Sequence, residues 1–294
     1  MSSFNAKNMT FRAESAKRGI CFSAEPPRCE AIRDKTIAGT VFLIGAGPGD
    51  PELLTVKAVR LIASANVVLH DSLVGREIVK MIPSTAEIID VGKRAGKKLL
   101  TQDEINSLLV ANARKHATVV RLKGGDPSIF GRAAEEIAAL REASIAYELV
   151  PGVTAALSAA AAAAISLTDR RIASQVLFST FSRREDGNAM DWGGVTPATT
   201  LVLYMPGPDY GEVSARLREN GMPAELPCVI VSQISSPQQQ IRWSTVGALG
   251  AEEKLPAPSL LIVGRVASQH AAELAEHFWP RASATPDSQS LSVI

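Results

Sequence analysis

The chain has 294 residues, and its 31 Lys plus Arg nearly balance its 30 Asp plus Glu, so the formal net charge is +1. This balance excludes the strongly basic surface typical of proteins that bind nucleic acids or anionic membranes, although a local basic cleft stays possible. The length favours two domains over one. The three cysteines lack metal-ligand spacing, so neither a disulfide framework nor a metal site is expected.

The sequence predicts that a segment at each end of the chain lies outside the folded part. Residues 1–38 mix charged and small side chains with no apolar run of signal-peptide type, and they are predicted to form a flexible extension. Residues 281–294 are predicted to be a disordered tail. The Ala-rich run at 155–164 is too short to span a bilayer, so a cytoplasmic protein is expected.

The first predicted strand, Thr40–Ile44, enters a glycine loop of sequence GAGPGDP, and helical periodicity follows from Leu53 to Ser64. Strand, glycine loop and helix are typical of the start of a doubly wound domain. A dinucleotide site is one interpretation of this loop. Against it, Asp50 replaces the last glycine of G-x-G-x-x-G, and two prolines crowd the turn.

Two further apolar runs predict strands that end at charged residues. The strand at 65–69 is followed by His70 and Asp71, and the strand at 87–91 is followed by Gly92, Lys93 and Arg94. A capping box, Thr101 to Glu104, then predicts the start of a helix.

The segment from Val119 to Arg132 reads VVRLKGGDPSIFGR and predicts a short buried strand that stops at two glycines, an aspartate and a proline. In an open α/β sheet, ligands bind at the carboxyl ends of the strands. Gly124 and Gly125 permit close approach of a ligand, and Asp126 is a candidate for holding ligand hydroxyls. An ordinary strand-to-helix turn would use the same residue types.

A fifth strand, Tyr147–Val150, completes a predicted parallel α/β domain at residues 39–152. The second half, residues 153–280, has more strands per helix, which predicts a mixed sheet in a second α/β domain. After the Ala-rich helix, the predicted elements are strands at 175–179, 200–205, 227–232 and 259–263 and helices at 211–220 and 268–278.

The motifs in this order resemble those of the tetrapyrrole (corrin/porphyrin) methylases over about residues 40–267. They are GAGPGDP, HDSLV, VGKR, QDEIN, VRLKGGDP, FGR, VPGVTAA and YM. The resemblance implies two α/β domains with the ligand cleft between them and a homodimer. It also implies methylation of two ring carbons of uroporphyrinogen III by S-adenosylmethionine to give precorrin-2, with S-adenosylhomocysteine as the other product.

The resemblance also implies the site residues. Those of the cofactor site are Pro48, Gly124, Gly125, Asp126, Ile129, Thr154, Ala155, Met205 and Ile234. Glycine backbone and a carboxylate suit the polar end and ribose of the cofactor, and the apolar side chains suit adenine. For Met205 alone, a buried gap filler is the structural alternative.

In the same way, the resemblance implies Asp71 as proton acceptor and Lys93 as proton donor, with Arg132 as a competing assignment. Because arginine normally stays protonated, a carboxylate clamp is the better role for Arg132. The substrate carries eight carboxylates, and the predicted contacts to it are Arg94, Arg132, Glu135 and Arg170, with Arg171 beside them. The structural alternatives are a strand-end cap for Asp71 and a solvated loop charge for Lys93.

The chain departs from the family pattern at several positions. His70 stands where the family has Tyr, Asp169 where it has His, and Ile234 where it has Gly, with further changes at Phe181 and Gln240. These departures leave two alternatives open: a methyltransferase acting on another precorrin or another acceptor, and a module that binds the cofactor without turnover.

Overall fold

A computed structural model describes residues 38–92, 100–181, 195–196, 198–207 and 209–268. The described residues form two five-stranded sheets with helices packed on them, which confirms the predicted α/β class with a parallel sheet followed by a mixed one. The strands of the two sheets do not interleave along the chain, and both sheets belong to one compact unit, Ile37–Ile294. The domain boundary at 152/153 stays a prediction.

All strand pairs of the first sheet are parallel. Its strands in chain order are β1 (Thr40–Gly45), β2 (Val67–His70), β3 (Glu87–Asp90), β4 (Thr118–Lys123) and β5 (Ala146–Val150). Side chains from both faces are buried: Ile44, Val68 and Val120 pack in one core, while Leu43 and Val119 pack in another. Burial on both faces explains why these strands are nearly continuous apolar runs rather than alternating ones.

The strand order is β3-β2-β4-β1-β5. The connection after β1 runs towards β2, and the connection after β4 runs the opposite way, towards β5. Neighbouring strands β1 and β4 therefore form the topological switch point, where a crevice opens at the carboxyl ends. The predicted glycine loops follow these two strands.

Helices α1 (Val56–Ala63), α2 (Arg76–Lys80), α3 (Gln102–Ala113) and α4 (Ala133–Glu142) connect the strands. The capping box is confirmed, because the Glu104 N–H donates to Thr101 Oγ1 at 3.2 Å and the Thr101 N–H donates to Glu104 Oε2 at 2.7 Å.

The predicted start of the first helix at Leu53 is wrong. Pro51–Leu53 form a turn of 3₁₀-helix, and Thr55 caps α1 by accepting from the Ala58 N–H at 3.2 Å. Helix α2 was not predicted, since five residues are too few to show helical periodicity.

The second sheet contains β6 (Gln175–Thr180), β7 (Thr199–Tyr204), β8 (Pro227–Ser232), β9 (Gln240–Thr245) and β10 (Ser259–Val263), in the order β6-β7-β10-β8-β9. Only β6 and β7 pair in parallel. Helix α5 (Ala155–Ala162) precedes this sheet, and α6 (Tyr210–Glu219) follows β7.

Strand β9 is absent from the sequence-based prediction. It lies at the edge of the sheet, where only Ile241 and Trp243 pack against the core and polar residues alternate with them. This period-2 pattern is the signal that would have identified it.

The described ranges contain no helix with the length and hydrophobicity needed to cross a bilayer. Within the same ranges, no three His, Cys, Asp or Glu side chains are grouped as metal ligands. Residues 1–37 of the predicted extension, the predicted terminal helix beyond Ser268 and the predicted tail lie outside the described residues.

Cys228 on β8 is completely buried, and burial raises the pKa of its thiol to about 12. Because the thiolate is the reactive form, we expect Cys228 to resist iodoacetamide at pH 8 in the folded protein and to react in denaturant. The measurement is mass spectrometry of a Cys21→Ser/Cys29→Ser variant. Rapid alkylation without denaturant would contradict the burial.

Candidate functional site

A cavity of about 330 Å³ opens at the carboxyl ends of β1 and β4 and extends to the second sheet. Its volume is at the lower end of the range for small-molecule sites, roughly 300–1,000 Å³. All nine residues predicted for the cofactor line it, namely Pro48, Gly124, Gly125, Asp126, Ile129, Thr154, Ala155, Met205 and Ile234. The structure thus brings together residues up to 186 positions apart, while their roles towards a ligand stay predictions.

Glycine backbone forms the floor between the two loops. The Gly125 N–H donates to Gly47 O at 2.7 Å, and the Gly47 N–H donates to Gly125 O at 3.1 Å. Gly125 has a φ of 69°, and a Cβ built there would meet no atom closer than 3.8 Å, so it would occupy cavity space. Gly124 is more constrained, because its Cβ would lie 2.8 Å from Leu73 Cβ.

The carboxylate of Asp126 holds the glycine loop in shape. Its Oδ1 accepts from the Ser128 N–H at 2.8 Å, and its Oδ2 accepts from the Gly152 N–H at 3.0 Å. The second bond joins the ends of β4 and β5. The Ser128 hydroxyl also donates to Oδ1, at 2.5 Å. Since a carboxylate has about four acceptor positions, Asp126 keeps about one of them, on Oδ2, for a ligand hydroxyl.

Three large apolar side chains of the cavity wall are exposed to solvent: Leu73 by 60%, Phe130 by 42% and Met205 by 53%. The alternative of Met205 as a buried gap filler is therefore wrong. Phe130 and Met205 also have left-handed backbone, with φ of 50° and 49°. Such conformations cost free energy for residues other than glycine, and they concentrate at ligand-binding sites.

Tyr204 connects the second sheet to the cavity. Its hydroxyl lies 2.6 Å from Thr154 Oγ1 and accepts from the Ala156 N–H at 3.3 Å, while its ring packs against Phe130 with centroids 4.9 Å apart. Burial raises the pKa of Tyr204. The residue therefore ties the start of α5 to the end of β7, although the predicted site residues included only its neighbour Met205.

Replacement of Tyr204 by Phe is expected to lower the free energy of unfolding by about 1–2 kcal/mol, because the buried Ala156 N–H and Thr154 hydroxyl lose their partner. Denaturant titration followed by circular dichroism measures the change. Tyr147→Phe is the matched control, since the Tyr147 hydroxyl accepts its bond from Arg141 at an exposed position. Equal effects of the two substitutions would contradict the structural role of Tyr204.

Asp71 lies at the end of β2 and lines the cavity. Its Oδ1 accepts from the Leu73 N–H at 3.2 Å, so it caps the turn as the structural alternative predicted. Its Oδ2 lies 3.7 Å from Arg121 Nη2. One oxygen of Asp71 thus caps the turn and the other is paired with a cation, while its role as proton acceptor stays a prediction.

Arg121 and Lys123 belong to a buried charge cluster that sequence reasoning missed. Both side chains line the cavity, and both bind Glu136 of α4, through Arg121 Nε at 3.0 Å and Lys123 Nζ at 2.9 Å. The sequence contained the signal: two cations at alternate positions of an apolar strand point to the same face and require a buried partner.

Arg132 lies at the edge of the cavity in left-handed backbone, with a φ of 56°. Its Nε and Nη2 donate to the two carboxylate oxygens of Glu135 at 2.7 and 2.6 Å, and these hydrogen bonds lower the pKa of Glu135. Glu135 itself is not among the lining residues. A substrate carboxylate meeting this edge of the guanidinium would have to displace Glu135.

Other predicted substrate residues lie elsewhere. Arg170 is exposed and does not line the cavity. Asp169 forms a bidentate pair with Arg171, and hydrogen bonds from Arg171 lower the pKa of Asp169 to about 2. Lys93 and Arg94 lie outside the described residues.

Comparison with known proteins identifies the family of this chain. The family model described as tetrapyrrole (corrin/porphyrin) methylases matches residues 40–250. The chain belongs to the tetrapyrrole methylase family. This membership confirms the predicted fold class and the enzyme class, an S-adenosylmethionine-dependent methyltransferase.

Three relatives of this tetrapyrrole methylase illustrate the similarity. The chain is 46% identical over 243 residues to the uroporphyrinogen-III C-methyltransferase of Paracoccus denitrificans, which covers 81% of this chain and 85% of that protein. It is 46% identical to the siroheme synthase of Azotobacter vinelandii over 78% of this chain, and it spans about half of that longer protein. The Thermus thermophilus uroporphyrin-III C-methyltransferase complexed with S-adenosylhomocysteine superposes with a TM-score of 0.67 at 36% identity, covering 78% and 98% of the two chains.

The cavity fits S-adenosylmethionine on its own chemistry. Glycine backbone at Gly125 leaves space that any Cβ would fill, Asp126 offers a carboxylate, and the exposed side chain of Met205 offers an apolar contact. These are the components expected for the polar end, the ribose and the base of a nucleoside ligand.

Proposed function

We propose that this methyltransferase acts on uroporphyrinogen III, methylating C2 and C7 to give precorrin-2, the precursor of siroheme, cobalamin and heme d1. The observation that carries the proposal is the joining of two sets of residues in one cavity. The glycine loop with Asp126 lies on one side, and Asp71 and Arg132 line the same space. The 46% identity to a uroporphyrinogen-III C-methyltransferase supports the choice of acceptor.

The protein holds the methyl donor through the loop after β4. Gly124 and Gly125 present backbone atoms, and Asp126 accepts a hydrogen bond from a ribose hydroxyl. S-adenosylmethionine, when bound, supplies an activated methyl group. Since an electron-rich pyrrole carbon needs no further activation, the main task of the residues is to hold donor and acceptor close and in line.

The acceptor side of the cavity suits a flat macrocycle with a charged rim. Leu73 and Phe130 offer exposed apolar surface for the ring, and Arg132 offers a guanidinium for a peripheral carboxylate. After methyl transfer the macrocycle must lose a proton. Asp71 accepts it, because its carboxylate reaches the cavity. The resemblance also implies a proton donor, Lys93, which this proton loss does not require.

The remaining parts of the proposal concern assembly and location. We propose a homodimer, on the resemblance of the motifs to those of tetrapyrrole methylases. We also propose a location in the cytoplasm, as expected from the sequence. Light scattering coupled to size exclusion tests the dimer, and a mass equal to one chain would contradict it.

The proposal is tested by anaerobic incubation of the full chain with uroporphyrinogen III and methyl-labelled S-adenosylmethionine. We expect a labelled product that has gained two methyl groups by mass spectrometry. Binding of S-adenosylhomocysteine is measured in parallel by calorimetry. Binding of S-adenosylhomocysteine without any labelled product would contradict the proposal. It would favour a methyltransferase with a different acceptor or a module that binds the cofactor without turnover.

Asp71→Asn is the site-directed part of this test. It should leave calorimetric binding of S-adenosylhomocysteine unchanged and lower the turnover number by roughly 10²–10⁴-fold, the range for loss of a general base. Asp103→Asn, on the exposed first turn of α3, is the matched control and should retain full turnover. Full turnover of Asp71→Asn would remove Asp71 from the proton-accepting role.

A further inference from the structure

The buried charge cluster of Arg121, Lys123 and Glu136 joins the two ends of the loop between β4 and α4, residues 124–132. Lys123 is the last residue of β4, and its Nζ donates to both carboxylate oxygens of Glu136 at 2.9 Å. Arg121 Nε donates to Glu136 Oε1 at 3.0 Å. Because Glu136 lies in the first turn of α4, these bonds close the loop at its base.

The cluster is too deeply buried to bind a substrate directly. Arg121 and Lys123 are each only 3% exposed, and Glu136 is completely buried. Charged side chains are almost never buried to this extent unless they are paired, and removal of one partner is strongly unfavourable. The cluster therefore holds strand and helix firmly together, and it acts on the cavity through the loop that it closes.

The first half of this loop has anchors of its own. The Gly125 N–H donates to Gly47 O at 2.7 Å, which ties the loop to the end of β1. Asp126 Oδ2 accepts from the Gly152 N–H at 3.0 Å, which ties it to the end of β5. The side of the loop that is predicted to hold the cofactor thus keeps its position without the cluster.

The second half of the loop is held differently. Phe130 and Arg132 have left-handed backbone, which costs free energy for residues other than glycine. Gly131 between them packs on the cluster, since a Cβ built there would lie 3.3 Å from Lys123 Cε. On the cavity side, the Phe130 ring contacts the Tyr204 ring, with centroids 4.9 Å apart. Strained residues of this kind persist only where the surrounding structure restrains them.

The start of α4 lacks the usual side-chain cap, because its N-cap residue is Arg132. A capping side chain accepts hydrogen bonds from the first N–H groups of a helix, and an arginine side chain has no acceptor. Arg132 donates instead to Glu135, at 2.7 and 2.6 Å. Glu136 thus supplies a bonded connection from the first turn of α4 to the sheet.

We propose that Arg121, Lys123 and Glu136 are positioning residues for the acceptor side of the cavity. They fix the distance between the end of β4 and the first turn of α4. This distance keeps Phe130 and Arg132 in the strained conformation in which both line the cavity. The inference rests on the proposed function for the identity of the acceptor, while the positioning concerns the protein alone.

Hydrogen exchange of the full chain, measured by mass spectrometry of overlapping peptides, tests the positioning without any ligand. In Glu136→Gln, the amides of residues 130–137 should exchange about tenfold or more faster, because the first turn of α4 loses its connection to the sheet. The Gly125 N–H should keep its wild-type protection, since its bond to Gly47 does not involve the cluster. Exchange that is unchanged over residues 130–137, or that rises equally at Gly125, would overturn the inference.

Val213→Ala is the control for lower stability alone. Val213 is completely buried in the core beside α6 and does not line the cavity. Its truncation should destabilise the fold without a local increase of exchange at residues 130–137. If the cluster were merely structural, Glu136→Gln would behave in the same way as this control.

Lys123→Met replaces Glu136→Gln if the latter does not fold. Glu136 keeps Arg121 as a partner in this variant, so its charge stays compensated. We expect a smaller increase of exchange that is confined to the same residues, 130–137. An exchange pattern equal to that of the wild type would contradict the inference.

Methyl transfer by Glu136→Gln separates the two sides of the cavity. We expect kcat/KM for the acceptor to fall roughly 10- to 100-fold, since a small displacement of a positioning group is costly. Calorimetric binding of S-adenosylhomocysteine should keep its wild-type affinity. Equal loss of both, or full methyl transfer, would overturn the inference. Absence of methyl transfer in the wild type would reject the proposed function, and hydrogen exchange would still decide the positioning.

Discussion

Replacement of Asp126 by alanine is expected to abolish detectable binding of S-adenosylhomocysteine, with an affinity loss of about 100-fold or more. Two contributions combine: the carboxylate that would accept ligand hydroxyls is removed, and the Gly152 N–H loses its acceptor at 3.0 Å. A hydrogen bond to a charged group contributes about 1.5–3 kcal/mol, so loss of the ligand's bond alone accounts for roughly 10- to 150-fold, and loosening of the loop without the Gly152 bond adds to it. Isothermal titration calorimetry measures the affinity.

Asp103→Ala is the control for Asp126→Ala, because Asp103 is exposed on the first turn of α3 and does not line the cavity. Thermal unfolding of both variants shows whether the loop after β4 still folds. Unchanged affinity in a folded Asp126→Ala variant would refute the assignment of Asp126 to the cofactor.

Replacement of Gly152 by alanine is expected to lower the free energy of unfolding by about 3 kcal/mol, near the upper end for added atoms in a packed region. A Cβ at Gly152 would lie 2.5 Å from Gly125 O and 2.7 Å from Gly45 C. These are backbone atoms at the ends of two strands, β1 and β4, which cannot move away from the end of β5 without opening the floor of the cavity. We therefore expect the melting temperature to fall by roughly 10 °C, measured by scanning calorimetry.

Gly221→Ala is the control that separates the steric clash at Gly152 from the cost of backbone strain. Gly221 has a φ of 81°, but a Cβ there would meet no atom within 4 Å. Its substitution should cost only about 1 kcal/mol, the free energy of a left-handed alanine. A Gly152→Ala variant as stable as Gly221→Ala would show that the strand ends are not packed as described.

Asp126→Ala and Gly152→Ala change two features of the site, of which only the first could be predicted from the sequence. The positions of Gly124, Gly125 and Asp126 at a strand end follow from local patterns, because glycine, aspartate and proline interrupt an apolar run there. The bond from Gly152 to Asp126 spans 26 positions and has no local signature. Sequence thus located Asp126 in the loop after β4, and the tertiary structure showed that it also joins two strands.

The charged residues of β4 show the same contrast between what the sequence predicts and what the tertiary structure shows. Arg121 and Lys123 stand in a strand that was interpreted as apolar, and their partner Glu136 is 15 and 13 positions away on the packed helix. Whether a charged residue on a strand is solvated or paired depends on what covers that face. That information appears only when α4 packs on the sheet.

By itself, the sequence determined the parallel sheet, the glycine loops at the carboxyl ends of β1 and β4, and the family to which the chain is similar. These features are encoded locally, because side-chain periodicity selects strands and helices and only glycine tolerates the close approach of two loops. The tertiary structure alone decided that Met205 is exposed at the cavity and that Arg121, Lys123 and Glu136 form a buried charge cluster next to Asp71. Exposure and pairing are properties of neighbours distant in the chain, so they are established only when the two sheets and their helices pack together.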